Sequence, residues 1–151
     1  MRKSLIVFAI AAAVIAGSVN IAFAQEMKGK SLFTRLGGKK GITAVVDEFV
    51  NNCASDTRIN KFFAATAKDP DRLAKFKTNL VNQICQVSGG PCKYTGKDMK
   101  TAHKGMAITD ADFNALVEDL VKALDKLHVG ATEKTELLTP LAAMKGQIVG
   151  Q

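Results

Sequence analysis

The chain has 151 residues, with eight phenylalanines, one tyrosine, no tryptophan and a formal charge of +7. Its lysines are spread along the sequence and not gathered on one element, which argues against nucleic acid as a partner and leaves a solvated basic surface. Three cysteines allow at most one internal pair, and with no Cys-x-x-Cys-His a covalent c-type haem is not expected.

Arg2 and Lys3 precede an apolar run from Leu5 to Ala16, and Ala22-Phe23-Ala24 forms an A-x-A cleavage site. This pattern predicts a signal peptide over residues 1–24, too short and wrongly flanked to span a membrane. Residues 25–151 are then expected to form a single exported domain with no membrane span after cleavage and a periplasmic location. Export permits disulfides. Cys85 and Cys92 bracket Gly89-Gly90-Pro91, a separation compatible with a short loop closure, and pairing and free thiols stay equally open. Cys53 reads as a buried free thiol.

After a leader over residues 25–30, Ser31 to Leu36 predicts one or two helical turns ended by Gly37-Gly38. A helix is expected from Gly41 to Ala54, with Ile42, Val45, Val46, Phe49, Val50 and Cys53 on one face. Thr57 to Phe63 reads as a short helical piece. Asp69-Pro70 is a helix start, with an oxygen side chain at the cap and proline in the first turn. Leu73, Phe76, Leu80, Ile84 and Val87 then share a face until Ser88-Gly89-Gly90-Pro91 stops the helix. A loop leads to a short helix from Met99 to Lys104. Thr109 and Asp112 form a capping box with aspartate in place of glutamate. Behind it runs the stripe Phe113, Leu116, Val117, Leu120, Val121, Leu124 and Leu127, ended by Val129-Gly130. A last helix is expected from Thr132 to Val149, kinked or broken by Pro140. No alternating strand is present, so the fold class is all-α.

His103 is one of two histidines and precedes Gly105 by two residues. A lone histidine cannot hold bare zinc, which takes about four protein ligands or three plus water. A porphyrin supplies four nitrogens itself, so one axial histidine suffices, and the pattern fits haem better than zinc. On spacing alone, an ordinary half-buried histidine before a helix-ending glycine outweighs an iron ligand. His128 closes a helix, where an imidazolium favours the helix dipole.

Taken together, Leu36-Gly37-Gly38, Phe62-Phe63, Gly89-Gly90-Pro91, Tyr94-x-Gly96 and Met99-x-x-x-His103-x-Gly105 resemble a group I truncated haemoglobin. The similarity runs from about Ser31 to Val149. It implies a truncated globin-like two-over-two helical sandwich around a non-covalent haem b. His103 takes the proximal iron-ligand position, and Phe63 packs against the haem face. Phe76, Asn79 and Leu80 fall at distal positions. Lys75, Lys100 and Tyr94 fall near the propionates, and Met99 and Met106 pack against the porphyrin edge.

The chain departs from the family at Phe49-Val50, where many relatives have Phe-Tyr and the tyrosine hydrogen-bonds bound oxygen. Loss of a partly charge-assisted bond costs about 1.5–3 kcal/mol. Gln83 is either a substitute donor or a solvent-facing amide. The resemblance implies reversible binding of O2, and of CO or NO. One alternative is an enzyme that oxidises NO, or uses peroxide or nitrite, with an external reductase. Another is a periplasmic haem carrier or gas sensor. No G-x-G-x-x-G is present for a flavin or nicotinamide of its own.

Overall fold

The computed structural model describes residues 29–151; the expected signal peptide and the leader through residue 28 lie outside the described residues. Seven α-helices and two 3-10 turns follow in order, with no strand among the described residues. They are α1 (Leu32–Arg35), α2 (Gly38–Ser55), a turn at Asn60–Phe62, α3 (Ala64–Ala67), α4 (Pro70–Val87), α5 (Met99–His103), α6 (Asp110–Lys126), α7 (Ala131–Met144) and a turn at Lys145–Gln147. The helix α2 packs on both α4 and α6, and α6 packs on α7, giving a two-over-two sandwich.

The apolar face expected on α2 is buried in full: Ile42, Val45, Val46, Phe49, Val50 and Cys53. The helix begins earlier than its apolar pattern, at Gly38. Gly37 adopts a left-handed φ of 82°, which turns the chain straight out of α1. Burial, with the carboxylates of Asp119 and Asp56 adding to it, pushes the Cys53 thiol up to about 12. It is an inert core thiol.

On α4 the periodic stripe has a different destination. The fully buried residues are Val81 and Cys85. Val87, expected on the shared apolar face, is 47% exposed. Phe76, Leu80, Ile84 and Val87 instead line a cavity. An apolar stripe predicts burial against something, without saying that the partner is protein.

Both expected caps form. Asp69 accepts from the backbone N–H groups of Asp71 and Arg72. The Thr109 hydroxyl accepts from Asp112 N–H at 3.2 Å, and the Asp112 carboxylate accepts from Thr109 N–H at 2.9 Å. The end of α6 differs from expectation. His128, not Gly130, takes the left-handed conformation, with φ 55°. His128 N–H donates to the Asp125 carbonyl at 3.0 Å and Val129 N–H to that of Leu124 at 2.9 Å, the bonding of a Schellman motif. Gly130 caps the start of α7. Pro140 does not break α7, which continues to Met144. The carbonyl that proline leaves without an amide partner belongs to Glu136, an exposed residue that water can reach.

Two links hold the ends of the sandwich. The Arg35 guanidinium of α1 pairs with Glu133 at 2.5 Å and with Glu136, both on α7. It holds the Glu133 carboxyl below the usual range. The second link is a Cys85–Cys92 disulfide, with Cα atoms 5.7 Å apart, tying the end of α4 to the loop before α5. Gly90 lies inside this closure. A Cβ there would sit 2.5 Å from the Phe33 ring and 2.6 Å from Cys85 Sγ.

Gly90→Ala is therefore expected to destabilise the protein by about 1–3 kcal/mol, the usual cost of overpacking, as read by denaturant unfolding. His128→Gly removes a left-handed L-residue and should add about 0.5–1 kcal/mol, raising the thermal midpoint by a few degrees.

Candidate functional site

The cavity has a volume of about 820 Å³ and is bounded by α2, α4, α5, α6 and α7. That is the size of a small-molecule or cofactor site. Its wall is mostly apolar. Phe49 comes from α2, Phe62 and Phe63 from the chain after it, and Phe76 and Leu80 from α4. Leu116 and Leu120 come from α6, and Leu137, Leu141 and Met144 from α7. The rings of Phe63 and Phe76 meet at 5.9 Å, tilted by 54°.

His103 reaches this cavity from α5. A helix of five residues has little stability of its own, so its ends are fixed by side chains. Asp98 caps the start, accepting from Thr101 N–H at 2.9 Å. Thr101, through its hydroxyl and its backbone N–H, holds the Asp98 carboxyl below the usual carboxylate range. The loop before α5 is pinned as well. Tyr94 N–H donates to Gln86 Oε1 at 2.7 Å, and the Tyr94 hydroxyl donates to the Lys97 carbonyl at 2.7 Å. Burial, with the Asp98 carboxylate adding to it, pushes the Tyr94 phenol up.

His103 Nδ1 lies 2.7 Å from the Met99 carbonyl. A carbonyl only accepts, so Nδ1 carries the proton and donates. Nε2 is left with a free lone pair, the nitrogen a metal would take. No group of three or more His, Cys, Asp or Glu able to hold a metal ion is present among the described residues. The donor set is one imidazole in an apolar cavity, and it fits a metal that brings its other ligands in a macrocycle.

Of the residues singled out in the sequence, Phe63, Phe76, Asn79, Leu80, Gln83, Tyr94, Met99, His103, Met106 and Lys75 all line the cavity. Two do not. Val50 is packed in the core at 8% exposure, because the next residue on a helix points about 100° away and Phe49 takes the cavity side. Lys100 is exposed and outside the lining; Arg72 and Lys97 join Lys75 instead. Arg72 stands one residue before the apolar stripe and three before Lys75 on the same helix, so helical spacing could have found it; Lys97 lies in a loop, where spacing carries no such signal. Unlike Arg35, Arg58 or Lys126, these three cations carry no ion pair among the described residues. They place positive charge at the edge of the cavity. Gln83 is not solvent-facing: its amide nitrogen lies 3.6 Å from Met99 Sδ and 3.7 Å from Met144 Sδ.

An all-helical sandwich with one histidine aimed into an apolar, cation-edged cavity defines a globin, and its cofactor is haem. The chain belongs to the bacterial-like globin family, whose model matches residues 31–149. It is 34% identical over 102 residues to the group 1 truncated haemoglobin of Tetrahymena pyriformis, covering 68% of this chain and 80% of that one. It is 30% identical over 121 residues to that of Nostoc sp. (strain MUN 8820), covering 80% and 98%. The Fe(III) crystal structure of the Tetrahymena pyriformis protein superposes with a TM-score of 0.72 at 27% identity, covering 81% of this chain and all of that one. The 2/2 haemoglobin of Synechococcus sp. PCC 7002, a cyanomet form with covalently attached haem, also gives 0.72 at 27% identity with the same coverage.

The cap of α5 generates a pH expectation. A carboxyl with a lowered native pKa stabilises the fold fully above its unfolded value, and the contribution is lost as pH falls through the native one. Acidification below the ordinary aspartate range should therefore loosen α5 and speed haem loss. Asp98→Ala should speed it severalfold at neutral pH and flatten the acid dependence, measured by haem transfer to an acceptor apo-globin.

Proposed function

We propose that this protein reversibly binds O2, and also CO and NO, at a non-covalent haem b held by His103. The observation that carries the reading is the Met99 carbonyl bonded to His103 Nδ1, which leaves Nε2 free inside an apolar cavity. When bound, haem supplies an open coordination position for a diatomic gas. His103 fixes the orientation of the group through its pinned ring. Phe49, Phe63, Phe76 and Leu80 would keep water away from the bound group. Arg72, Lys75 and Lys97 hold the carboxylates at the mouth. Turnover as an NO-oxidising enzyme would require an external reductase, and the binding reading needs none.

We place the protein in an oxidising compartment after export. The Cys85–Cys92 disulfide supports this, since such bonds persist outside the reducing cytosol.

The purified protein is expected to carry about one haem b per chain and to form ferrous adducts with O2 and CO. His103→Ala should lose the wild-type ferrous spectrum and retain haem poorly, whereas His128→Ala should change the spectrum little. Full loading and an unchanged spectrum in His103→Ala would overturn the assignment.

A further inference from the structure

We infer that the Cys85–Cys92 disulfide is a redox switch on haem retention. Closed, it holds the approach to α5 and with it the His103 ring; opened by a dithiol, it frees that approach and the haem leaves. The inference adds regulation to the proposed site and rests on that reading of it.

Residues 88–98 join α4 to α5. The Ser88 carbonyl accepts from Phe33 N–H at 2.8 Å, and Gly90 N–H donates to the Cys85 carbonyl at 2.8 Å, so the chain is fixed to the sandwich as far as Gly90. From Pro91 to Asp98, two ties lead back to α4 among the described residues. One is the disulfide at Cys92, and the other is the bond from Tyr94 N–H to Gln86 Oε1. The Tyr94 hydroxyl on the Lys97 carbonyl, Asp98 on Thr101 N–H and His103 Nδ1–H on the Met99 carbonyl are internal to the approach and to α5. Such bonds shape the segment without anchoring it. Gln86 is exposed, so water competes for its oxygen, and the covalent tie is the stronger anchor.

The two sulfurs differ in access. Cys85 is 0% exposed, whereas Cys92 is half-buried. A dithiol's thiolate therefore attacks Cys92 Sγ. The S–S bond breaks, and Cys85 leaves as a thiolate that takes up a proton. The second thiolate of the dithiol then displaces Cys92, so two cysteine thiols form as the dithiol becomes a disulfide. Cys53 is buried on α2 and takes no part. With the tie gone, residues 91–98 hang on one exposed hydrogen bond. A helix as short as α5 does not persist unsupported, and the bond that aims His103 exists only while α5 is helical. The core between α2 and α6 lies outside the closed loop and keeps its packing.

The test times haem transfer from the ferric protein to an acceptor apo-globin, with and without dithiothreitol, in wild type and in Cys85→Ser with Cys92→Ser. Hydrogen exchange of the haem-loaded proteins is read by mass spectrometry. Reduction, verified by thiol mapping, should speed haem loss about tenfold. It should raise exchange over residues 91–104 and leave α2 and α6 unchanged. The double variant should lose haem at the reduced rate whether or not dithiothreitol is present; if it does not fold, reduced wild type carries the comparison. Equal haem loss from oxidised and reduced wild type overturns the inference. So does exchange that rises across α2 and α6 as much as over residues 91–104, which marks a general staple and not a switch on the site. A wild-type protein that takes up no haem in either state overturns the functional reading itself, and the inference with it.

Discussion

The bond from His103 Nδ1–H to the Met99 carbonyl decides what this cavity can do. It sets which ring nitrogen is free and which way the ring faces. Donor and acceptor are four residues apart on one helix, so the bond exists only while α5 is helical. That helix is five residues long, well below the length at which a helix persists alone. The Asp98 cap, the Tyr94 bonds and the Cys85–Cys92 link all act on the same short stretch. Each removes freedom from the approach to α5, and the histidine inherits the order.

The rest of the sandwich supports this by dividing its labour. The buried face of α2 joins α4 to α6, and it is a protein core in the ordinary sense. The opposite side of α4 faces the cavity, with α6 and α7 completing the wall. Arg35 clamps α7 to α1 from about a hundred residues away, so the far wall is fixed through a long-range ion pair. Charge is divided too. Several cations away from the cavity are matched with Asp or Glu, as Arg58 is with Asp56 and Glu118. At the mouth they are unmatched, as a site for an anionic cofactor requires.

Much of this was legible in the sequence, because its signals are local. Asp69-Pro70 and Thr109 with Asp112 mark helix starts through chemistry within one turn, and both caps are present. The α2 face followed from period alone. What was not legible depended on tertiary surroundings. Pro140 sits inside a helix because the carbonyl it orphans belongs to an exposed residue. His128 takes the conformation that glycine would favour, a choice that composition does not reveal. Phe49 and Val50 are adjacent and both apolar, so the pattern could not say which one meets the cavity. Lys97 joins Arg72 and Lys75 only through the path of the loop between α4 and α5.

The cavity also has a consequence for how the chain is kept alive. An apolar space of about 820 Å³ between helices forgoes the packing that a filled core would supply. The cofactor restores it, and a ligand that binds only the folded state stabilises by RT ln(1 + [L]/Kd), about 2.7 kcal/mol at a hundredfold excess over Kd. Against a typical domain stability of about 5–15 kcal/mol, that is a large share. Haem supply is then a quality-control input. Without the cofactor, α5 is expected to open more often and come within reach of proteases, which would tie the amount of protein to cofactor availability.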